Sequence, residues 1–127
     1  GHSVGDRVIV AFARTLTDCC PLKAIVGRIG GEEFAILLEN SSGTIARLLG
    51  ETIRAHLNCR ALDEAARIHA TVSVGLAVGD GSMSLTELAQ RADDALYDAK
   101  RSGRDRLCMA QASLAASRTD GRPLASG

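Results

Sequence analysis

Between Ile68 and Val78 every second side chain is apolar. Ile68, Ala70, Val72, Val74, Leu76 and Val78 fall on one face, and His69, Thr71, Ser73 and Gly75 on the other. A period of two describes a strand with one buried face, and that face requires a covering layer. Three helical stripes supply candidates. Val4, Val8, Phe12 and Leu16, flanked by Ile9 and Ala13, form the first, which Pro21 ends. Ile45, Leu48, Leu49, Ile53 and Leu57 mark the second, after a loop or cap at residues 40–43. Ser84 stands three residues before Glu87, the pattern of a capping box. It opens a third helix whose stripe is Leu85, Leu88, Ala89, Ala92, Leu96 and Ala99, and Gly103 stops it. Ala24 to Ile29 and Phe34 to Leu38 read as two strands joined by a turn at residues 30–33, and Arg106 to Met109 predicts a final edge strand.

The order helix, hairpin, helix, strand, helix, short strand predicts an α+β fold, an antiparallel sheet covered by helices. A tight hairpin in the middle of a sheet usually needs a further strand beside it, and none precedes the first helix. The 127 residues suit one domain with one core. With Phe12, Phe34 and Tyr97 the only aromatics, that core has to be aliphatic. From Ala110 onward the chain is small, polar and unpatterned, which divides it into a domain at 1–109 and a disordered tail at 110–127.

Fifteen basic and fifteen acidic residues balance to zero net charge. A bulk nucleic-acid or membrane-surface binder needs a basic face, so neither is expected, while a local site that mixes acids and bases is allowed. Cys19, Cys20, Cys59 and Cys108 form no CxxC pair and have no His at zinc-ligand spacing, so they read as small buried hydrophobes in a reducing compartment. No signal peptide opens the chain, and no apolar run approaches the roughly 20 residues of a membrane span. A cytoplasmic location is expected.

Three short clusters could carry chemistry. The stretch RIGGEEF places Glu32 and Glu33 directly after Gly30 and Gly31. Such a turn can be a solvated loop; alternatively its amides cradle a phosphate while its carboxylates hold magnesium beside that phosphate. GHSVGD puts His2 and Asp6 four residues apart where the first helix begins, and an acid there also simply complements the helix dipole. DAKRSGRD crowds Lys100, Arg101 and Arg104 at the end of the third helix, where cations either complement the dipole or clamp a polyphosphate.

Taken together and in this order, the clusters resemble the GGDEF domain, the diguanylate cyclase family. Its GG(D/E)EF signature stands as GGEEF at 30–34 behind Arg28, and its GHxxGD element as GHSVGD at 1–6. Its SIGIA-like strand stands as SVGLA at 73–77, and its ADxALYxAKxxGRN element as ADDALYDAKRSGRD at 92–105. The resemblance implies a nucleotidyl-cyclase-like, ferredoxin-related fold with the signature at a hairpin tip. It implies condensation of two GTP into cyclic di-GMP with loss of pyrophosphate, by a homodimer in which each domain holds one GTP. Magnesium or manganese is the implied cofactor, and an N-terminal sensor or receiver domain is expected in the full-length protein. Carried over, Gly30 and Gly31 approach the phosphates, Glu32 is a metal ligand that helps activate the 3′-hydroxyl, and Glu33 supports the metal. Asp6 binds the guanine edge with His2 nearby, and Lys100 and Arg104 bind the terminal phosphates.

Three departures shape the expectation. The family's opening strand with its metal-binding Asp, and the FKxxND segment with its guanine-binding Asn, have no counterpart in these residues. The first strand is therefore expected to be missing, the chain to be a fragment of a longer gene product, and its own cyclase activity to be weak or nil. A non-catalytic GGDEF module that binds GTP or a partner is the alternative reading. The RxxD product site is replaced by Pro21 and Ala24 in PLKA, so feedback through it is expected to be absent. Asp105 stands where the family usually has Asn.

Overall fold

The computed structural model describes residues 3–59, 65 and 67–111. The described residues form two strand pairs and three helices. Helix α1 (Val4–Cys19) leads into the hairpin β1 (Ile25–Gly30) and β2 (Glu33–Leu37), followed by α2 (Gly43–Cys59). Strand β3 (Val74–Leu76), helix α3 (Leu85–Arg101) and strand β4 (Leu107–Met109) complete the described residues. No described helix is long and apolar enough to cross a membrane.

Local chemistry accounts for the helix ends. Ser3 caps α1 by accepting the Asp6 N–H at 3.2 Å. Cys20, just before Pro21, closes α1 by donating its N–H to the Leu16 carbonyl at 3.0 Å. The capping box is present at α3: Ser84 Oγ accepts the Glu87 N–H at 3.1 Å, and Glu87 Oε1 accepts the Ser84 N–H at 3.5 Å.

The α+β architecture follows the sequence pattern, but its strand pairing is more particular than one antiparallel sheet. Among the described residues β1 and β2 form one two-stranded antiparallel sheet, while β3 and β4 form a second whose strands run parallel. Parallel pairing follows from the connection, since a whole helix, α3, returns the chain to the same end before β4 begins. The ladder also corrects the long strand predicted over 68–78. Among the described residues only Val74–Leu76 pair in it, opposite Leu107, Cys108 and Met109. His2 and residues 112–127 of the expected tail lie outside the described residues.

Leu16 of α1 and Ile53 and Leu57 of α2 form a buried cluster, against which Phe12, Val26, Phe34, Ile36 and Leu49 pack. The rings of Phe12 and Phe34 meet edge to face at 5.1 Å and tie the hairpin to α1. A second packing unit sets α3 on β3 and β4, with Ala95 and Ala99 buried beneath it. Helix α2 touches both units, since it also packs on β3 and β4.

The approach of α3 to β3 is so close that a methyl group at Gly75 would collide with the backbone of Ala92 and Leu96. Gly75→Ala is therefore expected to destabilise the fold by about 1–3 kcal/mol or more, the usual cost of overpacking. Gly27→Ala, where the added methyl meets nothing within 4 Å, should stay within about 0.5 kcal/mol. Urea unfolding midpoints at unchanged slope compare the two. Equal effects would mean that α3 can shift away from β3.

Candidate functional site

The hairpin tip is fixed by residues close to one another in sequence. Gly30 pairs with Glu33, leaving Gly31 and Glu32 as a two-residue turn, and Gly31 takes a φ of +52° that a side chain would resist. The register slips between Arg28 and Gly30. Arg28 then reaches forward over the turn and donates to the Gly31 carbonyl from Nε at 3.0 Å and Nη2 at 2.7 Å. The turn is thus held by a charged fork, and Glu32 stands exposed at its apex. Glu33, the first residue of β2, is half-buried.

The second contributor is the end of α3. Burial of Ala95 and Ala99 fixes the rotation of the helix and carries Lys100 to the hairpin, where its Nζ meets Glu33 Oε2 at 3.0 Å. The pair joins residues 67 apart in the chain. Arg101 is engaged on its own helix, 3.6 Å from Asp98 and 5.8 Å above the Tyr97 ring. Beyond the stop at Gly103, Arg104 is exposed with a φ of +61°, and its N–H closes the helix on the Ala99 carbonyl at 2.9 Å.

The third contributor is the first turn of α1, where Asp6 is exposed and stabilised by the helix N-terminus. Of the residues singled out from the sequence, the structure brings Glu33 and Lys100 into direct contact. It leaves Glu32, Asp6 and Arg104 exposed at the ends of their elements, free to meet a ligand. The clamp formed by Arg28 was not legible beforehand. The signal available was an arginine two residues ahead of a Gly-Gly turn, within reach of a turn carbonyl.

The donor chemistry suits a hard divalent cation carried by a polyphosphate. Glu32 and Glu33 are oxygen ligands, and magnesium is typically held by one or two carboxylates plus substrate phosphates. Among the described residues no three His, Cys, Asp or Glu side chains gather into a metal-binding group, so phosphate oxygens would have to complete the shell. A separate depression lined by Leu57, Asn58, His69, Ala70 and Thr71 shares none of these residues.

Comparison with known proteins shows the family. A family model described as diguanylate cyclase, GGDEF domain, matches residues 1–106. Diguanylate cyclase DgcM of Escherichia coli K12 is 44% identical over 110 residues, which are 87% of this chain and 26% of DgcM. Diguanylate cyclase A of Treponema denticola is 31% identical over 116 residues, 90% of this chain and 31% of that protein. The chain therefore spans between about a quarter and a third of these two relatives. Among solved structures, the GGDEF domain of DgcB from Caulobacter crescentus, in complex with c-di-GMP, superposes with a TM-score of 0.80 at 32% identity, covering 88% of this chain and 68% of that one. The active GGEEF domain of a Vibrio cholerae diguanylate cyclase gives 0.79 at 34% identity, covering 89% and 72%.

The Glu33–Lys100 pair is partly open to solvent, with side chains 41% and 35% exposed. Exposed pairs contribute little, so Lys100→Met should change unfolding free energy by less than about 1 kcal/mol. A urea titration checks this, and a loss above about 2 kcal/mol would show that the pair holds the fold rather than awaiting a ligand.

Proposed function

We propose that this chain, which belongs to the GGDEF family of diguanylate cyclases, binds one GTP at the hairpin tip, and that in the protein it is part of two such domains face each other to condense two GTP into cyclic di-GMP. Each 3′-hydroxyl attacks the α-phosphate of the other GTP; a phosphorus–oxygen bond forms to the ribose and the bond to pyrophosphate breaks. The observation that supports this reading most is the 3.0 Å contact of Glu33 with Lys100. It sets one acid of the tip beside one cation of α3, the pairing of charges that a metal-bound triphosphate requires.

Each residue has a task in this reading. Gly30 and Gly31 present bare backbone to the phosphates, and the space a side chain would take there is open. Lys100 and Arg104 neutralise the terminal phosphates, Lys100 by exchanging Glu33 for a phosphate oxygen. Asp6 accepts the two N–H donors of the guanine edge. Glu32, at the exposed apex, takes up the proton leaving the 3′-hydroxyl. Glu32 and Glu33 would hold magnesium, which when bound supplies charge neutralisation at the attacking and leaving oxygens. The work of the protein is mostly positioning.

In the protein as its gene encodes it, Glu32→Gln should lower cyclic di-GMP formation by roughly a hundredfold or more while leaving the unfolding midpoint unchanged. Arg104→Ala should raise KM for GTP about tenfold with a smaller effect on kcat. Chromatographic assay of the product from GTP and magnesium checks both. Turnover within a few-fold of the parent in Glu32→Gln would remove Glu32 from the reaction.

A further inference from the structure

After α3 ends, Arg104 and Asp105 both take positive φ, +61° and +47°. Two consecutive non-glycine residues in the left-handed region persist only where their surroundings over-determine them. Those surroundings are specific. Arg54 of α2, 51 residues away, donates from Nη2 to the Asp105 carbonyl at 2.5 Å and to Asp105 Oδ1 at 3.1 Å. Its Nη1 meets Glu51 Oε1 at 2.5 Å, which fixes the guanidinium from the other side. The Arg54 side chain is only 20% exposed, and its Nε is buried without a partner. An arginine placed at that cost is anchored by its two forked ends. Glu51 and then Asp105 raise its pKa against the opposing effect of burial, so it stays charged. The turn is closed further by Arg106 Nε, which donates to the Arg104 carbonyl at 3.0 Å, and by the Val74 N–H, which donates to the Arg106 carbonyl at 2.9 Å.

We propose that Arg54, braced by Glu51, is a positioning residue: by gripping Asp105 on its carbonyl and carboxylate it holds the left-handed turn that presents Arg104 to the triphosphate. Asp105 thereby has a role of its own, as the handle α2 grips. The proposal rests on the reading above that Arg104 binds the terminal phosphates. In this role Arg54 acts through Arg104 and not on the nucleotide directly. Its effect should pass entirely through Arg104.

The test is a double-mutant cycle read as the ratio of GTP to GDP affinity, measured by calorimetry with magnesium on the full chain, together with amide exchange in the absence of nucleotide. Arg104→Ala should lower the ratio by about tenfold, Arg54→Ala by a comparable factor, and Arg54→Ala added to Arg104→Ala should cost nothing more. Exchange at 103–106 should speed up in Arg54→Ala while α1 and the hairpin keep their protection. If Arg54→Ala does not fold, Arg54→Lys, which keeps the charge but not the fork, should show the same pattern at smaller size. A full ratio in Arg54→Ala beside a reduced one in Arg104→Ala overturns the positioning role alone. So do additive losses in the double variant. An unchanged ratio in Arg104→Ala overturns the phosphate-binding reading, and the positioning role with it.

Discussion

The arrangement of the site depends on how closely α3 lies on β3. Gly75 allows a helix backbone to approach a strand backbone at a distance that no side chain at that position would permit. Once α3 is seated there, its capped start at Ser84 and the buried Ala95 and Ala99 set its rotation. The two cations at its far end then have fixed origins, Lys100 on the last turn and Arg104 just beyond it. The same helix returns the chain so that β4 pairs with β3 in parallel, and the hydrogen bond from Val74 to Arg106 ties the turn carrying Arg104 to the strand on which α3 rests. Helix, strand and turn therefore form one unit.

The acidic half of the site comes from the other packing unit. There the edge-to-face contact of Phe12 with Phe34 anchors β2 immediately after the two glutamates, and Arg28 stiffens the turn before them. Helix α2 spans both units through the Leu16, Ile53 and Leu57 cluster on one side and the β3–β4 pair on the other. It bears on the site directly as well, since Arg54 projects from α2 to Asp105. The contact between Glu33 and Lys100 is partly open to solvent and lies where the two units present opposite charges. Such a contact can be exchanged for ligand at small cost.

Much of this was legible in the sequence because it is local. Helical stripes, the box at Ser84 and Glu87, the hairpin around Gly30 and Gly31, and the edge strand after Gly103 are set by residues within a few positions of one another. The long alternation of 68–78 misled, because period two reports which side chains face inward but not how many find a partner in a ladder. Among the described residues the ladder with β4 takes in only Val74–Leu76, opposite Leu107–Met109. Parallel pairing of β3 with β4 required counting α3 as a crossover. The roles of Arg28 and Arg54 were invisible for another reason: a long cation reveals its acceptor only when a turn carbonyl has been placed within its reach. Asp105 read as a minor departure from a family motif until α2 was seen to grip it. At the candidate site the acids and the cations were legible in the sequence, while the fold supplied the contact of Glu33 with Lys100.

The central claim is that the hairpin tip and the end of α3 act together on one nucleotide. Titration of the isotopically labelled chain with GTP and magnesium, followed by amide chemical shifts, tests this most directly. The account predicts that shifts concentrate in one saturable phase at Gly30–Glu33 and at Lys100–Arg106, with Asp6 moving in parallel. Shifts confined to the depression around Leu57, Asn58 and His69, or to the hairpin without α3, would contradict it.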